Sequence, residues 1–408
     1  MSVAELVAAL PANLKERLDR LFDPIGIEGF LKDYHGKKYL HLPGKAESVA
    51  DVMSWELLER LLNMAPIWSP ASLQLVLDRN PVPTAEYCRP AILANGQEGL
   101  RPEPALVEGW ITRGATLVLN DVDRLTFGLN EVSAALQALT GGRVQGNLYC
   151  SRRGRQAFAP HFDTHDVYAL HCAGEKVWRL YEGQIEAPIA HRTFKFSPEE
   201  HQKHCGKLAE EIVMRPGDLL YMPRGRYHDA LASQEGAIHI ALGVTAPKAI
   251  DLLPLVMEAM ISQGFFRADL PGPSARESLA AWQKQLSKGV GELVASPAFA
   301  EGLRTILDTY PYPRGTYNLD AVFTGGQRYR LNGQFKLTQQ GAQWLLASDK
   351  GAVAVPGEIV DIVRHVVGQP QGASFSEKQV ADLAAGKSLE LVRDTLDKLR
   401  QMKVVTFA

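Results

Sequence analysis

Apolar residues in the first hundred positions recur at helical spacing only in short stretches. Leu57, Leu58, Leu61 and Leu62 gather on one face of a helix beginning at Ser54. The N-terminal part therefore reads as short amphipathic helices joined by loops. From about Ala115 the pattern changes. Thr116 to Leu119 read as a strand, and Leu129, Val132, Leu136 and Leu139 mark a helix that Gly141 and Gly142 terminate. From Val144 to Thr245 short strands dominate. Val167–Cys172, Lys176–Tyr181, Glu211–Arg215, Leu219–Met222 and Ile238–Val244 are separated by Gly, Pro or Glu-Gly turns. In the last run Ile238, Ile240, Leu242 and Val244 alternate with His239, Ala241, Gly243 and Thr245, so one face is apolar. Closely spaced runs of this kind predict an antiparallel sandwich or barrel.

After Pro247 the spacing turns helical again, with Leu252, Leu253, Val256, Met257 and Met260 on one stripe. That stripe is too short to bury itself and needs the barrel or a second copy of the chain. A further helical stretch spans Trp282 to Leu293, and the proline-rich segment 310–313 interrupts it. A β-like section around Tyr329 to Leu337 precedes two helices, one with Ile359, Ile362, Val363, Val366 and Val367, the other with Leu389, Val392, Leu396 and Leu399. Val404 to Phe407 close the chain as a strand. The class is α+β, in three parts: 1–248, 249–322 and 323–408.

Composition narrows the class. With 408 residues, 46% hydrophobic and 22% charged, the chain has ample core, which excludes disorder, a fibre and a disulfide scaffold. Forty-four basic and 46 acidic residues leave a net charge of −2, no global footprint for nucleic acid. Cys88, Cys150, Cys172 and Cys205 form no CxxC pair, which fits a reducing cytoplasm. No run approaches the ~20 apolar residues of a membrane span. The opening MSVAELVAAL lacks the basic start of a secretion signal.

The chemistry concentrates in two segments. His161 and Asp163 are two apart, so on a strand they project to one side and can reach one metal. The stretch from Pro216 through Pro223 to His228 supplies a third ligand by a turn, a strand and a Pro-Arg-Gly bend. Two imidazoles and a carboxylate form a facial triad, leaving three adjacent positions open on iron(II), two for a chelating cosubstrate and one for dioxygen. The far carboxylate of such a chelate needs a cation. Lys176 shares a strand face with Trp178 and Leu180, and a buried ammonium there calls for a partner carboxylate. An HxD pair alone is a common accident; joined to the second segment and the lysine it points to an oxygenase. Cupin-type isomerases or hydrolases use similar ligands but have no need of Lys176. A cupin binding module has no need of the triad.

Residues 147–151 (NLYCS), 160–183 (PHFDTHDVYALHCAGEKVWRLYEG) and 215–230 (RPGDLLYMPRGRYHDA) resemble the JmjC-type ribosomal oxygenases, a cupin-like branch of the 2-oxoglutarate-dependent protein hydroxylases. Residues 30–44 are similar to the family's opening stretch. The order of parts, with a helical middle and a winged-helix tail, is also the family's. The resemblance implies a double-stranded β-helix holding iron(II) through His161, Asp163 and His228, with Lys176 on 2-oxoglutarate. It places Tyr149 and Asn147 along the cosubstrate and substrate pocket and Thr245 close by. It implies oxidative decarboxylation of 2-oxoglutarate by O2 with hydroxylation of an arginine or histidine of a ribosomal protein, and a homodimer formed through the middle section. A non-ribosomal peptide or a small molecule is the alternative substrate. Two features depart from the family: Thr164 follows the ligand Asp163, and Arg152, Arg153 and Arg155 make the preceding loop basic. Such a loop repels a basic segment, attracts an acidic one, or is simply solvated.

His191, His201, His204 and Cys205 have no standard zinc spacing and read as a loop, and His165 and His171 as structural or pocket-lining. His239 is open to either role. From Val355 to Ala408 basic and acidic side chains balance, so the tail reads as a structural or interaction module rather than a DNA binder.

Overall fold

The computed structural model describes residues 2–93, 96–152, 158–232, 235–314, 327–348, 351–369, 374–384 and 386–408, in two compact units, Met1–Arg314 and Gly315–Ala408. Arg153 and Arg155 lie outside the described residues; Arg152 is exposed.

The first unit contains strands β1 (Leu40–Leu42), β2 (Leu73–Leu77), β3 (Asn80–Pro81), β4 (Cys88–Ile92), β5 (Glu98–Pro102), β6 (Thr116–Leu119), β7 (Arg143–Ser151), β8 (Asp166–Ala173), β9 (Lys176–Gln184), β10 (Leu208–Met214), β11 (Leu219–Met222), β12 (Arg226–Ala232) and β13 (Ala237–Thr245). Eight of them form one antiparallel sheet in the order β1-β11-β8-β13-β7-β6-β2-β3, and β10-β9-β12 form a smaller sheet. A lone bridge from His161 to His228 extends the smaller sheet by one position. From β7 onward the chain passes repeatedly between the two sheets, the path of a cupin-type double-stranded β-helix.

The period-two pattern of β13 explains how the barrel is packed. Ile238, Ile240, Leu242 and Val244 point outward into the main core. There they join Leu129, Val132, Leu136 and Leu139 of the helix Phe127–Thr140. Gly141 ends that helix at a positive φ of 66°, where a side chain is disfavoured. Between the sheets, Val167, Ala169, Trp178, Leu180, Ile212, Met214, Leu220 and Met222 fill part of the interior. Each such side chain contributes roughly 1.5–3 kcal/mol by burial.

The N-terminal part is less helical than its sequence suggests. Helices Ala12–Leu21, Gly26–Asp33 and Trp55–Leu62 are present, the last capped by the Ser54 hydroxyl, which accepts from the Leu57 amide. Between them β1, β2 and β3 join the large sheet and β4 pairs with β5. Runs of two to five residues carry too little periodicity to reveal strands whose partners lie far away; β1 pairs with β11 through Leu40 and Tyr221. The buried Arg17 guanidinium binds both Asp51 and Glu131, fastening the N-terminal helices to the barrel's packing helix.

The second unit has its own core around Tyr329, Val363, Phe375, Leu396 and Val405. The single β-like section expected at 329–337 is instead split. Strand β14 (Arg328–Leu331) pairs with β18 (Ser374–Ser376) and β19 (Val405–Phe407), while β15 (Lys336–Gln340), β16 (Gln343–Ser348) and β17 (Gly351–Val355) form a separate meander. Helices Val360–Val367, Glu377–Leu383 and Leu389–Gln401 complete it.

Candidate metal centre

His161 and Asp163 lie not on a regular strand but on the segment that the lone bridge anchors. The His161 amide donates to the His228 carbonyl at 3.1 Å and the His228 amide donates to His161 at 2.9 Å. Main-chain pairing thus sets the two imidazoles face to tilted face, with centroids 4.6 Å apart. The Gly225 amide donates to the Asp163 carbonyl at 2.8 Å and holds the third residue to the same strand. Gly225 has φ 86°, and a Cβ there would collide with the Ile185 carbonyl, so this bend needs glycine to deliver His228.

The ligand atoms of His161, Asp163 and His228 lie within 4.8 Å of one another. Nδ1 of His161 faces the Ala159 carbonyl at 2.8 Å, and Nδ1 of His228 faces the Arg226 carbonyl at 3.0 Å. Each Nδ1 therefore carries the proton and each Nε2 keeps a free lone pair, the tautomer a metal requires. Burial, then the His161 ring, pushes His228 down to about 4, so it is a neutral donor. Burial would raise the Asp163 carboxyl, but the imidazoles of His228 and His161 hold it below its usual value. Two imidazoles and one carboxylate suit a divalent first-row metal such as iron(II).

These residues line a cavity of about 340 Å³. Asn147 and Tyr149 from β7, Lys176 from β9 and Thr245 from β13 line the same cavity, so every candidate named above opens onto one space. Burial, then the Asp163 charge, pushes the Tyr149 hydroxyl up to about 12, so it remains a proton donor. The cavity deepens along paired strands. The pair Gly243 and Gln145 stands at the exposed end, and His239 and Tyr149 stand at the buried end with Lys176. Trp178, expected in the core, is buried and also walls the cavity beside His228, with centroids 5.8 Å apart.

Lys176 departs from expectation. Its Nζ lies 3.3 Å from His239 Nδ1 and 3.5 Å from Ser151 Oγ, and no carboxylate among the described residues pairs with it. Burial holds the amine down to about 7. A group facing an open cavity can be answered by a ligand, so the fold does not supply the counter-charge itself. Arg179, the other cation of this strand, is occupied: Nε and Nη2 donate to Asp229 at 2.7 and 2.8 Å. His165 lines the cavity, one of the two roles its sequence left open, and so does His239; Gln145 also lines it, with no signal in the sequence to mark it. The signal for His239 was its place on the polar face of β13, which His239, Ala241, Gly243 and Thr245 share and which lines the cavity throughout. His201 instead contacts the Tyr227 hydroxyl at 3.1 Å among Phe162 and Phe196, and His191 caps a short turn.

A family model described as the JmjC domain matches residues 128–252, the span that contains the triad and Lys176. The chain is similar to a bifunctional lysine-specific demethylase and histidyl-hydroxylase, NO66, of Drosophila erecta: 25% identity over 297 residues, covering 68% of this chain and 43% of that protein. Ribosomal oxygenase 1 of Homo sapiens is 29% identical over 218 residues, covering 50% of this chain and 34% of that protein. The chain thus spans less than half the length of these relatives. The structure of the ribosomal oxygenase YcfD from Escherichia coli superimposes with a TM-score of 0.50 at 16% identity, covering 93% of this chain and 97% of that one. That likeness extends the fold beyond the JmjC domain itself. YcfD has also been solved with cobalt and 2-oxoglutarate.

Proposed function

We propose that this chain is a 2-oxoglutarate- and iron(II)-dependent dioxygenase that hydroxylates a protein side chain, with an arginine or histidine of a ribosomal protein as the substrate. The observation that carries the reading is one cavity holding a two-histidine, one-carboxylate set and a buried lysine that no carboxylate among the described residues pairs with. His161, Asp163 and His228 hold the metal; Lys176 receives the far carboxylate of 2-oxoglutarate. Asn147 and Tyr149 offer an amide and a phenol to the cosubstrate or target, and Thr245 lies toward the entrance. When bound, iron(II) with 2-oxoglutarate and O2 supplies the oxidative chemistry; the barrel orients the reactants and its apolar walls exclude water.

The wider organisation belongs to the same proposal. The parts are 1–248 for the oxygenase, 249–322 for a helical dimerisation section and 323–408 for a winged-helix-like module that does not grip DNA. Leu253, Met257 and Ile261 are exposed on the helix Leu253–Ile261, which supports a homodimer across that stripe. No described helix is long and apolar enough to cross a membrane, and four free cysteines are consistent with a cytoplasmic setting.

The test is succinate formation from 2-oxoglutarate with iron(II), coupled to mass spectrometry of ribosomal proteins from cells with and without the chain. An added oxygen that depends on the chain and disappears in Asp163→Ala is expected. Unchanged turnover in Asp163→Ala would overturn the assignment.

A further inference from the structure

The uncharged surroundings of Lys176 distinguish this receptor from a simple ion-pair site. Ser151 of β7 and His239 of β13 contact the amine, and Cys150 of β7 and His171 of β8 lie close enough to interact with it electrostatically. Burial holds the Cys150 thiol up to about 11 and His171 down to about 4, and His239 is pushed well below its usual value by burial and by Lys176 itself. Met214 of β10 stands opposite in register and is apolar. Each of these titratable neighbours among the described residues is therefore neutral at pH 7. Tyr149 lies flat on the His239 ring, with centroids 4.8 Å apart at 9°, and Trp178 meets it edge-on at 5.3 Å, so the ring is held in place.

We propose that His239 is a positioning residue that holds the Lys176 amine toward the cavity as a neutral acceptor, so that a ligand carboxylate enters this end of the site together with one proton. The inference rests on the proposed function, which supplies 2-oxoglutarate as the ligand. The step balances simply: the neutral amine takes a proton from solvent as the carboxylate arrives, and the product is an ammonium–carboxylate pair with no covalent change. A fixed ammonium already paired with an aspartate would behave differently, since the ligand would have to displace that partner and no proton would move. The linkage has a direction. The empty amine is held near 7 and the occupied one is raised, so affinity is flat below about pH 7. Above it, affinity weakens toward tenfold per pH unit until the occupied amine itself titrates.

Full-length protein loaded with zinc(II), which is redox-inert, allows the test by calorimetric titration of 2-oxoglutarate from pH 6 to 9 in buffers of different ionisation enthalpy. Uptake approaching one proton per ligand at pH 8.5, and little at pH 6, is expected. Lys176→Arg, charged throughout, should bind without that pH dependence. His239→Leu should shift the onset of weakening to lower pH, and His239→Gln, which restores an acceptor, should move it back; a merely structural histidine would leave the onset in place. NMR of [ε-13C]lysine-labelled protein reads the amine directly, by a Lys176 signal that titrates near 7 when the carboxylate is absent. Binding without proton uptake at pH 8.5, or an empty-site amine titrating at its ordinary value, overturns the receptor and leaves the oxygenase reading standing. No 2-oxoglutarate binding at any pH sinks both.

Discussion

Strand β9 carries two cations three residues apart, and the protein treats them in opposite ways. Arg179 faces outward and is answered in full: Asp229, directly across on β12, accepts two hydrogen bonds from it and a third from the Tyr181 hydroxyl at 2.9 Å. Lys176 faces inward and, among the described residues, is answered only by a serine and an imidazole. A planar guanidinium in register with a carboxylate fastens two strands together. An amine left without a counter-charge costs stability, and a fold retains such a cost where something else is meant to bind there. The pair teaches that charge location alone does not identify a binding residue; whether its partner is already present does.

Removing each cation should therefore act in opposite senses. Arg179→Met leaves the fully buried Asp229 carboxylate unpaired next to His228, and should cost about 3–5 kcal/mol in urea unfolding. Lys176→Met should stabilise the metal-free protein by on the order of 1–4 kcal/mol near neutral pH, while abolishing 2-oxoglutarate binding. Because the folded amine sits near 7 and the unfolded one near 10.5, the parent protein gains stability as pH rises between those values. The advantage of Lys176→Met is full below about pH 7 and should vanish at the upper limit, as thermal melts across that range will show. Equal destabilisation by both methionine variants would break the contrast.

Two gentler changes sharpen it. Arg179→Lys keeps the charge and loses the two-pronged geometry, so it should cost roughly 1.5–3 kcal/mol, less than the Arg179→Met loss. Tyr181→Phe removes one of three bonds to Asp229 and should cost about 0.5–1.5 kcal/mol by the same unfolding measurement, without altering 2-oxoglutarate affinity.

The sequence reveals the inside of the barrel better than its outside. Lys176 and Trp178, and Asn147 and Tyr149, are each two residues apart on a strand, and alternation alone places both members on one face, while His161 and Asp163, also two apart, sit on an irregular segment. These positions do converge on one cavity. Asp229 went unnoticed because its partner Arg179 lies fifty residues away, and only the β9–β12 register brings them together. The same limit hid β1, β2 and β3, whose short runs acquire meaning from distant partners. His239 was visible as the polar member of an apolar strand, but its neighbour Lys176 comes from another strand again. The expected carboxylate beside Lys176 failed for a different reason: the pairing rule assumes a closed interior, and this amine looks into an open one.

The shared register of β7 and β13 has a kinetic consequence. From Thr245 to His239 the strand advances about 20 Å, at roughly 3.3 Å per residue, from the rim to the bottom of the cavity. A small dicarboxylate must travel past Asn147 and Thr245 to reach Lys176, and a polypeptide side chain bound near the rim would stopper that route. Loading should then follow a compulsory order, with the small acid first and the polypeptide second. The spent acid should leave only after the modified polypeptide has withdrawn, so a tightly held polypeptide product would throttle turnover even when fresh small acid is abundant.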